Sequence, residues 1–132
     1  MMLPKHIYER LLANGQASLE ADHDHTPVVK YFDPAGAATW LLTELNPGEP
    51  DILFGLCDLG QGFPELGYVR FSELAETKNR LGINLERDLF FVASYPLSVC
   101  AEAARHHERI TEDDQHLKNA AQRLGLSKSP TP

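Results

Sequence analysis

Four carboxylates, Glu44, Asp51, Asp58 and Glu65, fall within or beside one stretch of apolar, strand-like sequence. Hard oxygen ligands converging from neighbouring strands can hold Mg²⁺ for phosphodiester cleavage, which makes Glu44, Asp58 and Glu65 the leading constellation for nuclease chemistry. His23 and His25, in the cluster Asp22-His23-Asp24-His25, alternate so as to offer two imidazoles to a divalent metal, with an aspartate as a further ligand. Each set also has a structural reading. Carboxylates in turns accept backbone N–H bonds, and histidines in polar loops are commonly solvated, so structural roles outweigh ligand roles for both. His106 and His107 are adjacent on a predicted helix and diverge, which argues against one chelate. The glycines at Gly55, Gly60, Gly62 and Gly67 lack the lysine and the strand–loop–helix context of a phosphate loop, and turns and close strand packing account for them.

The elements that must position these groups follow from local pattern. Apolar runs at Val28 to Phe32, Ala38 to Leu45, Ile52 to Leu59, Leu66 to Phe71 and Leu89 to Ala93 predict strands, separated by turns such as Asp33-Pro34-Ala35-Gly36 and Asn46-Pro47-Gly48-Glu49-Pro50. Alternation places Glu44 with Trp40 and Leu42, and Asp58 with Ile52, Phe54 and Leu56. A first helix opens at Pro4, repeats Leu3, Ile7 and Leu11, and is expected to stop at Asn14-Gly15, with Gln16 to Thr26 as a surface connection. Ser72 is the expected N-cap of a helix of about ten residues ending near Gly82. Pro96 opens a helix toward His107, and Thr111 with Asp114 resembles a capping box for a helix ending at Gly125. Short connections favour antiparallel neighbours, so the expected fold is α+β: an antiparallel meander with helices packed on one face and at an edge. Residues 1–126 read as one domain and 127–132 as a disordered tail.

Bulk properties narrow the function. Nineteen acidic against twelve basic residues give a formal charge of −7, which opposes nonspecific binding to nucleic acid. No run approaches the roughly 20 apolar residues of a membrane span, and the charged start lacks a signal-peptide core. With two cysteines, Cys57 and Cys100, free thiols in a reducing cytoplasm are expected.

The segment WLLTELNPGEPDILFGLCDLG, with GFPELGYVRFSEL and LGINLERDLFF after it, resembles the bacterial family called domain of unknown function 2958, over roughly residues 4 to 105. The resemblance implies a small protein often carried on plasmids and other mobile elements. Some members of such families carry a single-strand DNA endonuclease label, but no residue signature accompanies it and no active site is transferred. The last helix lies beyond the matching part.

Resemblance, acidity and the lack of an assembled catalytic motif together favour a cytoplasmic protein-interaction module over an enzyme. The expected partner is a protein complex of the host or of the mobile element, with nucleic-acid-targeting defence machinery as the target to inhibit or modulate. Its expected surface is Phe63, Pro64 and Glu65 in the Gly-rich loop, with Glu49 and Asp51 as acidic contributors. No cofactor is expected outside the Mg²⁺-dependent nuclease alternative. A further alternative is self-association through Leu117, Ala121 and Leu124 of the last helix.

Overall fold

Short turns built on Asp33 and Asn46 fold the centre of the chain back on itself, strand beside strand. The computed structural model describes residues 3–126; the tail expected at 127–132 lies outside them. The order is α1 (Lys5–Glu20), β1 (Val29–Phe32), β2 (Thr39–Leu45), β3 (Ile52–Asp58), β4 (Glu65–Arg70), α2 (Phe71–Glu76), β5 (Glu86–Arg87), α3 (Leu97–His107) and α4 (Asp114–Leu124). All neighbours are antiparallel in the sheet order β4-β3-β2-β1-β5. The α+β meander expected from the sequence is the observed fold.

Its helices, however, cover both faces. On one face α1 sets Leu11 against Val29, Tyr31, Trp40, Leu42, Leu45 and Leu53. On the other, α3 sets Leu97, Cys100, Ala101 and Ala104 against Leu41 and Leu56, and α4 packs behind it through Ala120 and Ala121 on Val99 and Ala103. Leu41 and Leu42 both lie in the core, one on each side, because a central strand covered twice is apolar at successive positions.

Helix α1 runs through Asn14-Gly15 to Glu20 instead of stopping. The pair is a docking point: a Cβ on Gly15 would lie 1.8 Å from the Leu45 carbonyl oxygen, and Asn14 Nδ2 donates to the Thr43 carbonyl at 2.9 Å. That carbonyl belongs to a β-bulge, since β2 pairs Leu42 with Gly55 and then Glu44 with Phe54, leaving Thr43 as the extra residue. A one-residue insertion reverses the alternation beyond it. Leu45 therefore joins Trp40 and Leu42 on the α1 face, and Glu44 turns to the α3 face, contrary to strict alternation.

The expected strand at Leu89 to Ala93 is irregular, with Leu89, Phe90 and Val92 exposed. The fifth strand is the polar pair Glu86–Arg87, held by backbone pairing to Phe32 and Tyr31. Helix α2 ends at Glu76 rather than near Gly82, because Asn79 Oδ1 accepts the Leu81 and Ile83 N–H groups and forms a turn there.

Candidate functional site

Aspartates supply most of the fixed points of this fold. Asp58 is 2 % exposed, and its two oxygens accept the N–H groups of Gly60 at 2.8 Å and Ile110 at 2.9 Å. It ties the start of the β3–β4 loop to the α3–α4 connection. Asp51 accepts both the N–H and the hydroxyl of Ser72, so a remote carboxylate caps α2 where the sequence suggested Ser72 itself. These bonds, with Arg70 at 3.6 Å, hold the Asp51 carboxyl below its ordinary range. Asp24 caps α3 in the same way, accepting from the Ser98 N–H at 3.0 Å and from its hydroxyl. In α4 the N-cap is Asp113, which accepts from Gln115 and His116, while Thr111 Oγ1 accepts from the Asp113 N–H. Such acceptors stabilise a helix end because its first N–H groups have no partner within the helix.

This arrangement separates the three candidate nuclease carboxylates. Glu44 lies opposite Phe54, four residues along β3 from Asp58, a spacing of about 13 Å along the strand. Glu65 pairs with Cys57, whose side chain packs on the α1 face, opposite to the face of Asp58. Among the described residues, no group of three or more His, Cys, Asp or Glu side chains is placed to hold a metal ion. His23 and His25 stack on each other at 5.2 Å between ring centroids, and His25 Nε2 and the Ser18 hydroxyl share a hydrogen bond of 3.0 Å. Burial pushes the Cys57 thiol up to about 11 and, with the nearby Asp24 charge, the Cys100 thiol to about 12. Both thiols are protonated at neutral pH and are poor nucleophiles.

The partner-binding candidates also divide. Phe63 is 79 % exposed and Leu59 63 % exposed, in a loop that is nevertheless braced. Gly60 has φ of 81° and lies against Ala37, where a Cβ would come within 2.9 Å of the Ala37 Cβ. Pro64 is buried, Glu65 is exposed, and Glu108 approaches the loop at Gly62. Glu49 and Asp51 sit at the other end of β3, roughly 20 Å away along the strand, where both pair with Arg70 at 3.0 and 3.6 Å. They do not join the surface around Phe63. The α4 stripe offered for self-association is largely occupied within the chain: Leu117 and Ala121 pack on α3, and Leu124 remains exposed.

One surface escaped sequence reasoning. At the margin of α3, the sheet leaves Phe54 half-buried and exposes Leu66 and Tyr68, with the Phe54 and Tyr68 rings 4.9 Å apart. Two clefts of about 180 Å³ each meet there and share Glu44 and Phe54. One continues to His23, His25 and Ser98; the other runs to Ser18, Asn46 and Pro47. The bulge at Thr43 is what turns Glu44 into this groove, and no local pattern announces it. No helix among the described residues is long and apolar enough to cross a membrane.

In comparison with known proteins, a family model described as Protein of unknown function (DUF2958) matches residues 2–111. It ends before α4. No curated protein and no solved structure matches the chain.

Proposed function

The chain belongs to the DUF2958 family, and from that premise and the form of the β3–β4 loop we propose that it is a protein-interaction module rather than an enzyme. The observation that carries this reading is Phe63, 79 % exposed between two fixed points, the Asp58-clamped Gly60 and the buried Pro64. An aromatic side chain displayed on an ordered loop binds with little further loss of conformational entropy, and aromatic anchors dominate interface energetics. Glu65 and Glu108 flank it, and the chain carries a net charge of −7. The complementary partner is a protein with an apolar pocket rimmed by basic residues.

A basic surface that normally handles nucleic acid has this chemistry. The reading therefore extends to a cytoplasmic protein, carried on a mobile element, that modulates or inhibits nucleic-acid-targeting machinery of its host. The test is affinity capture from native host cells with quantitative mass spectrometry, comparing the wild type with a Phe63→Ala/Glu65→Lys variant of equal thermal stability. One stoichiometric complex, lost in the variant, is the expected result. Equal recovery by both forms would remove the Phe63 surface, and no enriched complex in either sample would count against the module.

A further inference from the structure

The groove on the α3 face is chemically distinct from the Phe63 loop and stands at the other end of β3. Its floor is the half-buried Phe54 and its wall the exposed Tyr68, an aromatic pair with ring centroids 4.9 Å apart. Glu44 is half-buried at the point where the two clefts join. Among the described residues its carboxylate has no hydrogen-bond or ion-pair partner, and neither cleft is lined by a lysine or an arginine. The other carboxylate there, Asp24, is occupied by the N-terminus of α3. His23 and His25 close the end of one cleft, stacked on each other, with His25 bonded to Ser18.

A half-buried carboxylate without a counter-charge keeps its acceptor oxygens unused within the protein, and a cation arriving from outside can take them up in charge-assisted hydrogen bonds. Aromatic faces beside it add attraction for a cation and exclude water from the pair. For an anion the groove supplies no lysine or arginine, and the Glu44 and Asp24 carboxylates oppose one. We infer that the groove between Tyr68 and the His23–His25 segment is a receptor for an arginine side chain of a partner protein, with its guanidinium on Glu44 and its stem along Phe54. Arginine fits better than lysine because its planar head can pair bidentately with a carboxylate while lying flat on a ring. The inference does not depend on the Phe63 loop, and each surface can fail without the other.

The test uses the full chain, isotopically labelled, titrated with N-acetyl-arginine methylamide and followed by backbone amide NMR. Citrulline and lysine analogues of the same probe provide the comparison. The expected result is saturable shifts at residues around Glu44, Phe54 and Tyr68 with the arginine probe. Removing a charge-assisted contact should weaken binding about tenfold in Glu44→Gln, which keeps the shape of the side chain. Tyr68→Ser, which removes the exposed ring beside Phe54, should weaken it by a smaller factor. Equal binding of the citrulline probe, preference for the lysine probe, unchanged affinity in Glu44→Gln, or shifts confined to other parts of the surface would each overturn the assignment, as would no saturable shift at all.

Discussion

Replacing Gly15 by alanine pits helix propensity against tertiary packing. Gly15 lies inside α1, where glycine costs about 1 kcal/mol relative to alanine, so a helix considered alone gains that amount from Gly15→Ala. In this fold the new methyl would stand 1.8 Å from the Leu45 carbonyl oxygen and 3.3 Å from Pro47 Cδ. The first contact is far inside any tolerated separation, and the obstacle is the backbone of a core strand that cannot rotate away. Helix α1 must retreat by more than about 1 Å, a gap that forfeits a quarter to a half of the dispersion energy of the contacts it opens. Leu11, fully buried beneath the helix, loses close packing, and the Asn14 bond to Thr43 stretches. Overpacking costs about 1–3 kcal/mol and the lost hydrogen bond about 1 kcal/mol, against about 1 kcal/mol of propensity gained. The expected balance is a destabilisation of about 1–3 kcal/mol. Urea denaturation of wild type and Gly15→Ala measures it, with Ala13→Gly at an exposed position of the same helix reporting the propensity term alone. A Gly15→Ala protein that is more stable than wild type would refute the docking of α1 on the Thr43 bulge.

Other consequences follow from single contacts. Asp58→Asn exchanges one of two buried acceptors for a donor facing an N–H, at Gly60 or Ile110, and should cost about 2–3 kcal/mol in urea denaturation. Amide exchange should quicken together in residues 59–62 and 108–111, and a loss under about 0.5 kcal/mol would contradict the clamp. Tyr31 is fully buried with its hydroxyl unbonded among the described residues, and burial raises its pKa to about 12. Tyr31→Phe removes that unsatisfied group and should leave stability unchanged or raise it by up to about 1 kcal/mol; a marked loss would mean that the hydroxyl has a partner. His107 stacks on His116 at 3.8 Å, and its pKa is lowered from 6.5 by partial burial first, then by His116, His106, Arg109 and Arg123. The unfolded chain takes up this proton more readily than the folded one, so the contribution of His107 to stability is intact above pH 6.5 and is lost as pH falls from there through the lower folded value. Histidine-ring NMR should find the His107 midpoint below that of an unfolded peptide, and His116→Asn should raise it; an unchanged midpoint would contradict coupling across the stack.

The legible part of this fold was local. Strands β2, β3 and β4 were bounded to within a residue or so because apolar runs and Pro-Gly or Asp-Pro turns are encoded in adjacent positions. Gly15 is ambiguous in sequence because the same residue ends a helix or admits a neighbour, and Leu45, thirty residues away, decides between them. The Thr43 bulge was invisible for a related reason: the extra residue is defined only against the register of β3. It moved Glu44 to the opposite face, and with it the chemistry assigned there. Strand β5 escaped notice because Glu86 and Arg87 owe their conformation to the backbone of β1 rather than to an apolar pattern. At the candidate sites, the Gly-Pro surroundings of Phe63 allow its exposure, though the burial bias of a large apolar side chain favours folding back onto the sheet. The exposure of Tyr68 could not be read locally, since β4 shows its position at the sheet edge only once the strand order is known.

The most direct measurement of the interaction reading is site-specific photo-crosslinking in native host cells, with a benzophenone amino acid placed at position 63 and, as control, at position 90, more open to solvent still but outside the braced loop. The account predicts one discrete protein adduct from position 63, absent from position 90 and abolished in the position-63 protein when Glu65→Lys reverses the flanking charge. The same adducts from both positions, or none from position 63 while the protein remains folded and abundant, would contradict it.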